Sequence, residues 1–258
     1  MFEQHSIPGG MLAVGIPEYR LPKHFLAMEI NYLKDLGIQF KTNTKIGTDI
    51  TIDELFSNGY SAIFIAIGAH KSIKLDIPGE DAEEVISGIE FLRKVNIGIG
   101  IDIGKNVAVI GGGNTAIDAA RTALRLGARK VTILYRRTKF EMPASEEEIE
   151  DAEAEGIHIA YLTAPVEILK DNGKVKALKC IRMTLGEPDS SGRRRPIPVP
   201  NSEHILEFDK VIVAISQTPD LQGLQTNNTF IKTKWGTLQT NFETCSRSVF
   251  GVSLYVGA

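Results

Sequence analysis

The amino-acid sequence predicts an α/β fold with parallel sheets, from two stretches that each lead a buried strand into glycine. Residues 106–138 read NVAVIGGGNTAIDAARTALRLGARKVTILYRRT, where the apolar run 107–110 is typical of a buried strand and three glycines follow at once. Residues 62–67 are a second continuous apolar run, closed by Gly68, as in buried parallel strands. Both stretches predict strands that end in sharp turns.

The first stretch also carries a nucleotide-binding pattern. Residues 114–126 read as a helix, and residues 131–135 as the next strand. The spacing Gly111-x-Gly113-x-x-Ala116, with a strand before and a helix after, matches the dinucleotide fingerprint in its GxGxxA form. A pyrophosphate would bind the free N–H groups at the helix start, so the stretch predicts a Rossmann-like domain. The alternative, a merely flexible glycine loop, does not account for the strand and the helix.

The end of the second strand predicts which dinucleotide is preferred. NAD-binding units usually place Asp or Glu there, to accept hydrogen bonds from the ribose 2′-hydroxyl. This chain has Arg136 and Arg137, whose guanidinium groups suit a 2′-phosphate. The sequence therefore predicts NADP(H), with two solvated arginines as the alternative.

Composition narrows the class of protein. The chain has 258 residues, of which 43% are hydrophobic and 24% charged, and a net charge of −3, so neither nucleic acid nor a membrane is expected as a partner. No apolar run approaches the ~20 residues of a membrane helix, and no signal-peptide pattern is present, so a cytoplasmic protein is expected. Cys180 and Cys245 lack any CxxC companion, so no metal site is predicted.

The remaining elements follow from local signals. Thr51 and Glu54 have the spacing of a capping box, as do Ser145 and Glu148, and Asp171-Asn172-Gly173 signals a hairpin. Arg193-Arg194-Arg195 is interpreted as a solvated turn, with a docking patch as the alternative. The other predicted elements are the end of a strand at 1–3, an irregular loop at 6–22, a helix at 22–36, and strands at 38–41, 157–162, 166–169 and 175–183.

The chain resembles a known family over almost its whole length. The motifs, in order, are GGMLAVGIPEYRLP, AIFIAIGA, IPGED, GGGNTAIDAARTALRLGA, LYRRTKFEMPASEEE, LGEPDSSGRRRP and VIVAISQTP. They are similar to the small (β) subunit of NADPH-dependent glutamate synthase and to the flavin and NADPH domains of dihydropyrimidine dehydrogenase. The resemblance implies two Rossmann-like, three-layer domains, with the NADPH domain (76–219) inserted into an FAD domain (1–75 and 220–258).

The resemblance also implies roles for particular residues. Hydride would pass from NADPH to FAD without a catalytic acid or base, and electrons would go on to a larger subunit, such as the glutamate synthase large chain or an iron–sulfur protein. The implied FAD contacts are Glu3, Gly10, Met11, Arg20 and Ile46. The implied NADPH contacts are Gly111, Gly112, Gly113, Asn114, Thr115, Arg136, Arg137, Ala214, Ile215 and Ser216.

The chain departs from the family pattern in three places. The family's Cys-rich segment and first GxGxxG loop would precede Met1, its AGGD motif has no counterpart in residues 251–258, and Ser216 replaces a glycine. The FAD site is therefore expected to be incomplete. Two functions are consistent with these residues: an oxidoreductase subunit, or an NADP(H)-binding module without redox activity of its own.

Overall fold

The chain forms two compact units in a computed structural model that describes residues 1–224, 233, 237–239, 246–249 and 252–256. The first unit comprises Met1–Ala13, Leu21–Lys71 and Gln217–Ala258, and the second comprises Val14–Arg20 and Ser72–Ser216. The domain boundaries predicted after residues 75 and 219 are close to these changes. No sequence signal placed Val14–Arg20 with the second unit, and much of the predicted segment 220–258 lies outside the described residues.

The secondary structure alternates helices and strands, as the sequence predicts. Within the described residues the helices are α1 (Gly10–Val14), α2 (Lys23–Asp35), α3 (Ile52–Ser57), α4 (Gly88–Asn96), α5 (Asn114–Arg125) and α6 (Glu146–Ala154). The strands are β1 (Ala62–Ile65), β2 (Lys71–Ser72), β3 (Val85–Ser87), β4 (Asn106–Ile110), β5 (Lys130–Leu134), β6 (His158–Ala160), β7 (Thr163–Asp171), β8 (Lys174–Pro188), β9 (Arg194–Pro198), β10 (His204–Glu207), β11 (Lys210–Val213), β12 (Gln217–Thr218), β13 (Ser246–Val249) and β14 (Val252–Val256).

A five-stranded sheet forms the centre of the second unit. Its order is β3-β11-β4-β5-β6, and each neighbouring pair is parallel. Helix α5 lies against β4 and β5 through alanines that are fully buried, which allows close helix–sheet approach. Since parallel strands end at one edge, the loops after β4, β5 and β11 all lie at the same carboxyl edge of the sheet. This edge is where ligands bind in open α/β sheets.

A smaller antiparallel sheet extends the second unit. It runs β10-β8-β7, and β9 also pairs with β8. The predicted hairpin at Asn172-Gly173 is confirmed, since it joins β7 to β8 and both residues have positive φ, 51° and 82°. Strand β8 is longer than the predicted run, because β7 pairs with its residues 174–182 and β9 continues the pairing over residues 183–188.

The first unit contains a three-stranded sheet in the order β1-β14-β13, with β1 parallel to β14. The predicted capping box at the start of α3 is confirmed, with Glu54 N donating to Thr51 Oγ1 and Thr51 N to the Glu54 carboxylate. The strand predicted at residues 38–41 was too long, since only Lys41 pairs, in a single bridge with Phe2. The prediction of a buried strand at residues 62–67 was also wrong: Phe64 is 65% exposed, and residues 62–67 line an open cavity.

An ion-pair network joins α5 to α6 and predicts a pH dependence of stability. Arg121 and Arg125 both donate to the Glu155 carboxylate at 2.6 Å, and hydrogen bonds from Arg125 are the main cause that lowers the pKa of Glu155 to about 2. Because this folded pKa is lower than the ordinary value of 4.5, the stabilisation is full above about pH 4.5 and is lost as pH falls towards 2.

We therefore expect Glu155→Gln to lower the melting temperature at neutral pH, by an amount that shrinks below pH 4.5. Thermal denaturation from pH 3 to pH 7 measures this difference. Glu150→Gln is the matched control, since Glu150 is an exposed residue of α6 and Glu155 is the C-cap of that helix. A constant difference between Glu155→Gln and the parent chain at every pH would contradict the assignment.

Candidate functional site

The loop after β4 begins with a glycine that the fold itself requires. Gly111 has φ +149°, and a Cβ there would lie 2.2 Å from the Ala214 carbonyl oxygen. Ala214 is held in this place because its N–H donates to the Ile110 carbonyl at 2.8 Å. The structure thus brings Ala214, at the end of β11, directly against the predicted glycine loop.

The second glycine of the loop packs under an aromatic ring. A Cβ on Gly112 would lie 2.4 Å from the Tyr135 ring, and the Gly112 carbonyl accepts a hydrogen bond from Ala144 N at 3.2 Å. The Tyr135 hydroxyl donates to the Glu141 carbonyl at 2.6 Å, which fixes the ring. The sequence did not predict a role for Tyr135, because no local pattern shows which ring covers a glycine 23 positions earlier.

The third glycine differs from the other two, since the fold leaves room for a side chain there. Gly113 has an ordinary φ of −93°, and a Cβ would meet only Pro143 Cγ at 3.7 Å. Gly113 is also the N-cap of α5, and no side chain caps this helix. An open surface beside an uncapped helix start fits the pyrophosphate of a dinucleotide. Asn114 and Thr115, predicted to contact NADPH, form the first turn of α5.

A second helix starts at the same edge of the sheet. Ser87 caps α4 by accepting a hydrogen bond from Glu90 N at 3.3 Å. A Cβ on Gly88 would lie 3.2 Å from Thr115 Cγ2 and 3.0 Å from Ala214 Cβ, so the two helix starts and the end of β11 form one continuous edge. The spacing of Ser87 and Glu90 could have signalled this cap from the sequence.

The two arginines after β5 occupy different environments. Arg136 is exposed, and no acidic side chain in the described part of the chain pairs with it. Arg137 is only 5% exposed, its Nε donates to the Arg194 carbonyl at 2.7 Å, and its Nη2 donates to Asp189 at 2.8 Å. Of the pair, Arg136 is therefore the free cation at the predicted 2′-phosphate position.

The turn predicted at residues 214–216 continues from β11. Ile215 is 41% exposed, and the Ser216 carbonyl accepts a hydrogen bond from Ile73 N at 3.2 Å. Of these three residues, Ala214 contacts the glycine loop, as described above.

Most residues predicted to bind FAD lie around one cavity of the first unit. It has a volume of about 500 Å³, and Glu3, Gly10 and Ile46 line it together with residues 62–67. Glu3 also accepts a hydrogen bond from His5 N at 2.8 Å. Met11 is half-buried in α1 and does not line this cavity. A mainly apolar cavity whose lining includes the carboxylates of Glu3 and Asp220 fits the adenosine end of a flavin dinucleotide.

Arg20, also predicted to bind FAD, is engaged elsewhere. Its Nη1 donates to both carboxylate oxygens of Asp118, at 2.8 and 2.9 Å, and its Nη2 forms an ion pair with Glu148. Burial raises the pKa of Asp118, while its hydrogen bond with Arg20 opposes that rise. Glu148 Oε2 is buried without a hydrogen-bond partner. Arg20 thus pairs with two carboxylates of the second unit, and its role at a diphosphate stays a prediction.

Other kinds of site are absent from the described residues. They contain no group of three or more His, Cys, Asp or Glu side chains that could hold a metal ion. No helix among them is both long and apolar enough to cross a membrane. Cys180 is a free, buried thiol, and burial raises its pKa to about 12. Cys245 lies outside the described residues.

The fold and the glycine loop together define a dinucleotide-binding α/β protein. The family profile described as pyridine nucleotide-disulphide oxidoreductase matches residues 31–253, and the chain belongs to this family of oxidoreductases. The predicted fold class is confirmed.

Curated relatives confirm the predicted resemblance. The chain is 47% identical, over 98% of its length, to the NADP(+)-dependent formate dehydrogenase subunit beta of Moorella thermoacetica, of which it covers 36%. It is 46% identical, over 91%, to the NADPH-Fe(3+) oxidoreductase subunit beta of Geobacter sulfurreducens, of which it covers 35%. It is 38% identical, over 85%, to the glutamate synthase [NADPH] small chain of Escherichia coli, of which it covers 49%. The chain thus spans about a third to a half of these relatives.

A solved structure shows the same fold. FprA of Mycobacterium tuberculosis, in complex with NADPH, superposes with a TM-score of 0.77 at 22% identity. The match covers 99% of this chain and 70% of FprA.

Proposed function

We propose that the second unit binds NADPH, with the pyrophosphate at the start of α5 and the 2′-phosphate at Arg136. The main observation in support is the open surface at Gly113, where the fold itself would accept a side chain. The uncapped start of α5 supplies backbone donors beside it, and Arg136 supplies a cation at the adjoining strand end. The names of the relatives, which include NADP(+) or NADPH, support the same nucleotide.

We propose further that the chain is part of an oxidoreductase subunit that uses NADPH and FAD. FAD, when bound, would accept hydride from the nicotinamide and release electrons singly or in pairs. Glu3, at the edge of the cavity in the first unit, would hold the adenosine ribose through its carboxylate. The relatives are named as β subunits or small chains, which supports a partner subunit. We propose that this partner is a larger, cytoplasmic electron acceptor, such as the glutamate synthase large chain or an iron–sulfur protein.

One observation favours the alternative of an NADP(H)-binding module without its own redox activity. Arg20, expected to hold the flavin diphosphate, is already bound by two carboxylates. Purification of the full chain with added FAD distinguishes the two functions. Retained flavin absorption that NADPH bleaches anaerobically supports the oxidoreductase. NADPH binding with no retained flavin supports the module.

The test of the nucleotide assignment is the variant Arg136→Ala. We expect it to weaken NADPH binding about tenfold to a hundredfold and to leave NADH binding unchanged, because one charge-assisted contact contributes roughly 1.5–3 kcal/mol. Titration of both nucleotides by the change in their fluorescence measures the effect. Arg129→Ala is the matched control, since Arg129 is exposed and precedes the opposite end of β5. Equal dissociation constants for NADPH and NADH in the parent chain would overturn the assignment.

A further inference from the structure

The turn between β8 and β9 is held in one conformation by its own hydrogen bonds. We call residues 189–194 the arginine turn. Asp189 N donates to the Arg193 carbonyl at 2.8 Å, and Gly192 N donates to the Asp189 carbonyl at 2.9 Å. Asp189 Oδ1 accepts hydrogen bonds from Ser191 N at 2.8 Å and from Ser191 Oγ at 2.5 Å. A turn that is exposed to solvent does not need this many internal hydrogen bonds to form.

Arg137 anchors the arginine turn to the end of β5. Its buried guanidinium binds the Asp189 carboxylate on one side of the turn and the Arg194 carbonyl on the other. The backbone makes a second connection, since Leu162 N donates to the Arg137 carbonyl at 3.0 Å and Met183 N donates to the Leu162 carbonyl at 2.8 Å. The arginine turn therefore lies at the carboxyl end of β5, where Arg136 is exposed.

The three consecutive arginines at 193–195 differ in what their side chains do. Arg194 donates to the carbonyls of Leu185 and Gly186, at 3.0 and 3.2 Å, and Arg195 is exposed. Arg193 is half-buried, and its Nε donates to Ser191 Oγ at 3.0 Å. No carboxylate within the described ranges forms an ion pair with Arg193. It is thus an oriented cation without a counter-ion.

The pKa of Tyr135 agrees with a position of Arg193 near the end of β5. Burial is the main cause that raises the pKa of Tyr135, and the positive charges of Arg137 and Arg193 oppose that rise. Arg193 is therefore close enough to the end of β5 for its charge to act on the ring that covers Gly112.

We infer that Arg193 is a specificity-determining residue that binds the 2′-phosphate of NADP(H) from the side opposite Arg136, and that Arg137 is a positioning residue that holds the arginine turn there. This inference rests on the proposed function, since it presupposes the nucleotide at the start of α5. Two guanidinium groups that converge on a dianionic phosphate each offer forked donors. An arginine supplied by a turn 52 residues after Arg137 would then discriminate NADPH from NADH.

The experiment compares Arg193→Ala with Arg195→Ala in the full chain. We expect Arg193→Ala to weaken binding of NADPH and of the probe 2′,5′-ADP about fivefold to thirtyfold, without change in NADH or 5′-AMP binding. Arg195→Ala, two residues further along the chain in β9, should leave all four dissociation constants unchanged. Arg193→Lys, which keeps a charge without the fork, should give an intermediate loss.

The positioning role of Arg137 has its own readout. Asp189→Asn keeps the size of the side chain but weakens the anchor on Arg137, so it should lower NADPH affinity severalfold while NADH affinity stays constant. Its effect should largely vanish in an Arg193→Ala background, since both changes act through the same phosphate contact.

The failure of this inference can be told apart from failure of the proposed function. If Arg136→Ala loses the NADPH preference but Arg193→Ala keeps it, the inference is wrong and the nucleotide site stands. If Arg193→Ala weakens NADPH and NADH equally, Arg193 only supports the fold, and the inference is again wrong. If the parent chain binds both nucleotides equally, the proposed function fails first.

Discussion

Replacing Gly113 with valine is expected to abolish NADPH binding while the chain stays folded. The fold accepts a side chain there, because a Cβ would meet only Pro143 Cγ at 3.7 Å. The branched side chain would instead occupy the space beside the start of α5, where the pyrophosphate must approach backbone N–H groups. We expect a loss of about a thousandfold or more in affinity, or about 4 kcal/mol. Fluorescence titration with NADPH, together with a thermal melt, measures both properties.

Gly111→Ala is the informative control, because it should affect the fold and not only the ligand. Its Cβ would lie 2.2 Å from the Ala214 carbonyl, and its φ of +149° is one that alanine rarely adopts. We expect a lower melting temperature for this variant even without nucleotide. A folded Gly113→Val chain that binds NADPH with the parent affinity would show that the pyrophosphate lies elsewhere.

Replacing Arg20 with alanine is expected to destabilise the second unit by about 3 kcal/mol. Removal of one partner from a buried ion pair costs roughly 3–5 kcal/mol, because the remaining charge is left unpaired. We expect the low end of this range of free energies, because the Arg20 side chain is 27% exposed, although that of Asp118 is only 6% exposed. Urea denaturation, followed by circular dichroism, gives the free energy of unfolding.

Two further variants separate the charge from the packing of this ion pair. Arg20→Lys keeps one positive charge but loses the two-pronged contact, so its loss should be smaller. Asp118→Asn, added to Arg20→Ala, removes the unpaired buried charge and should recover part of the stability. An Arg20→Ala chain as stable as the parent would mean that water solvates both carboxylates after all.

Local patterns predicted the part of the fold that depends on neighbours in the sequence. The predicted helix 114–126 matches Asn114–Arg125 to within one residue, and the predicted strand 107–110 lies within Asn106–Ile110. These elements are specified by glycines, apolar runs and caps within a few positions. Arg136 and Arg137 predicted NADP(H), and the resemblance supplied FAD, because a fingerprint alone does not name a cofactor.

Contacts between distant residues could not be predicted in this way. Arg136 and Arg137 are adjacent and identical in type, yet Asp189 engages only Arg137. The packing of Tyr135 over Gly112 depends on how β4 and β5 pair, and the exposure of Phe64 depends on what lies beside β1. Sequence reasoning placed the glycine loop between a strand and a helix, as the structure has it, but could not show that Arg136 is exposed while Arg137 is buried.

The segment Val14–Arg20 has a consequence for the order in which the second unit can assemble during synthesis. Arg20 leaves the ribosome first, while its partner Asp118 follows 98 residues later and Glu148 later still. Helix α5 must therefore be synthesised before Arg20 can pair with Asp118. Closure of a loop of this length is slow. A fragment that begins at Ser72 would contain the whole parallel sheet but lack this segment. Supplying residues 14–20 as a separate peptide should then restore stability to such a fragment in a concentration-dependent manner.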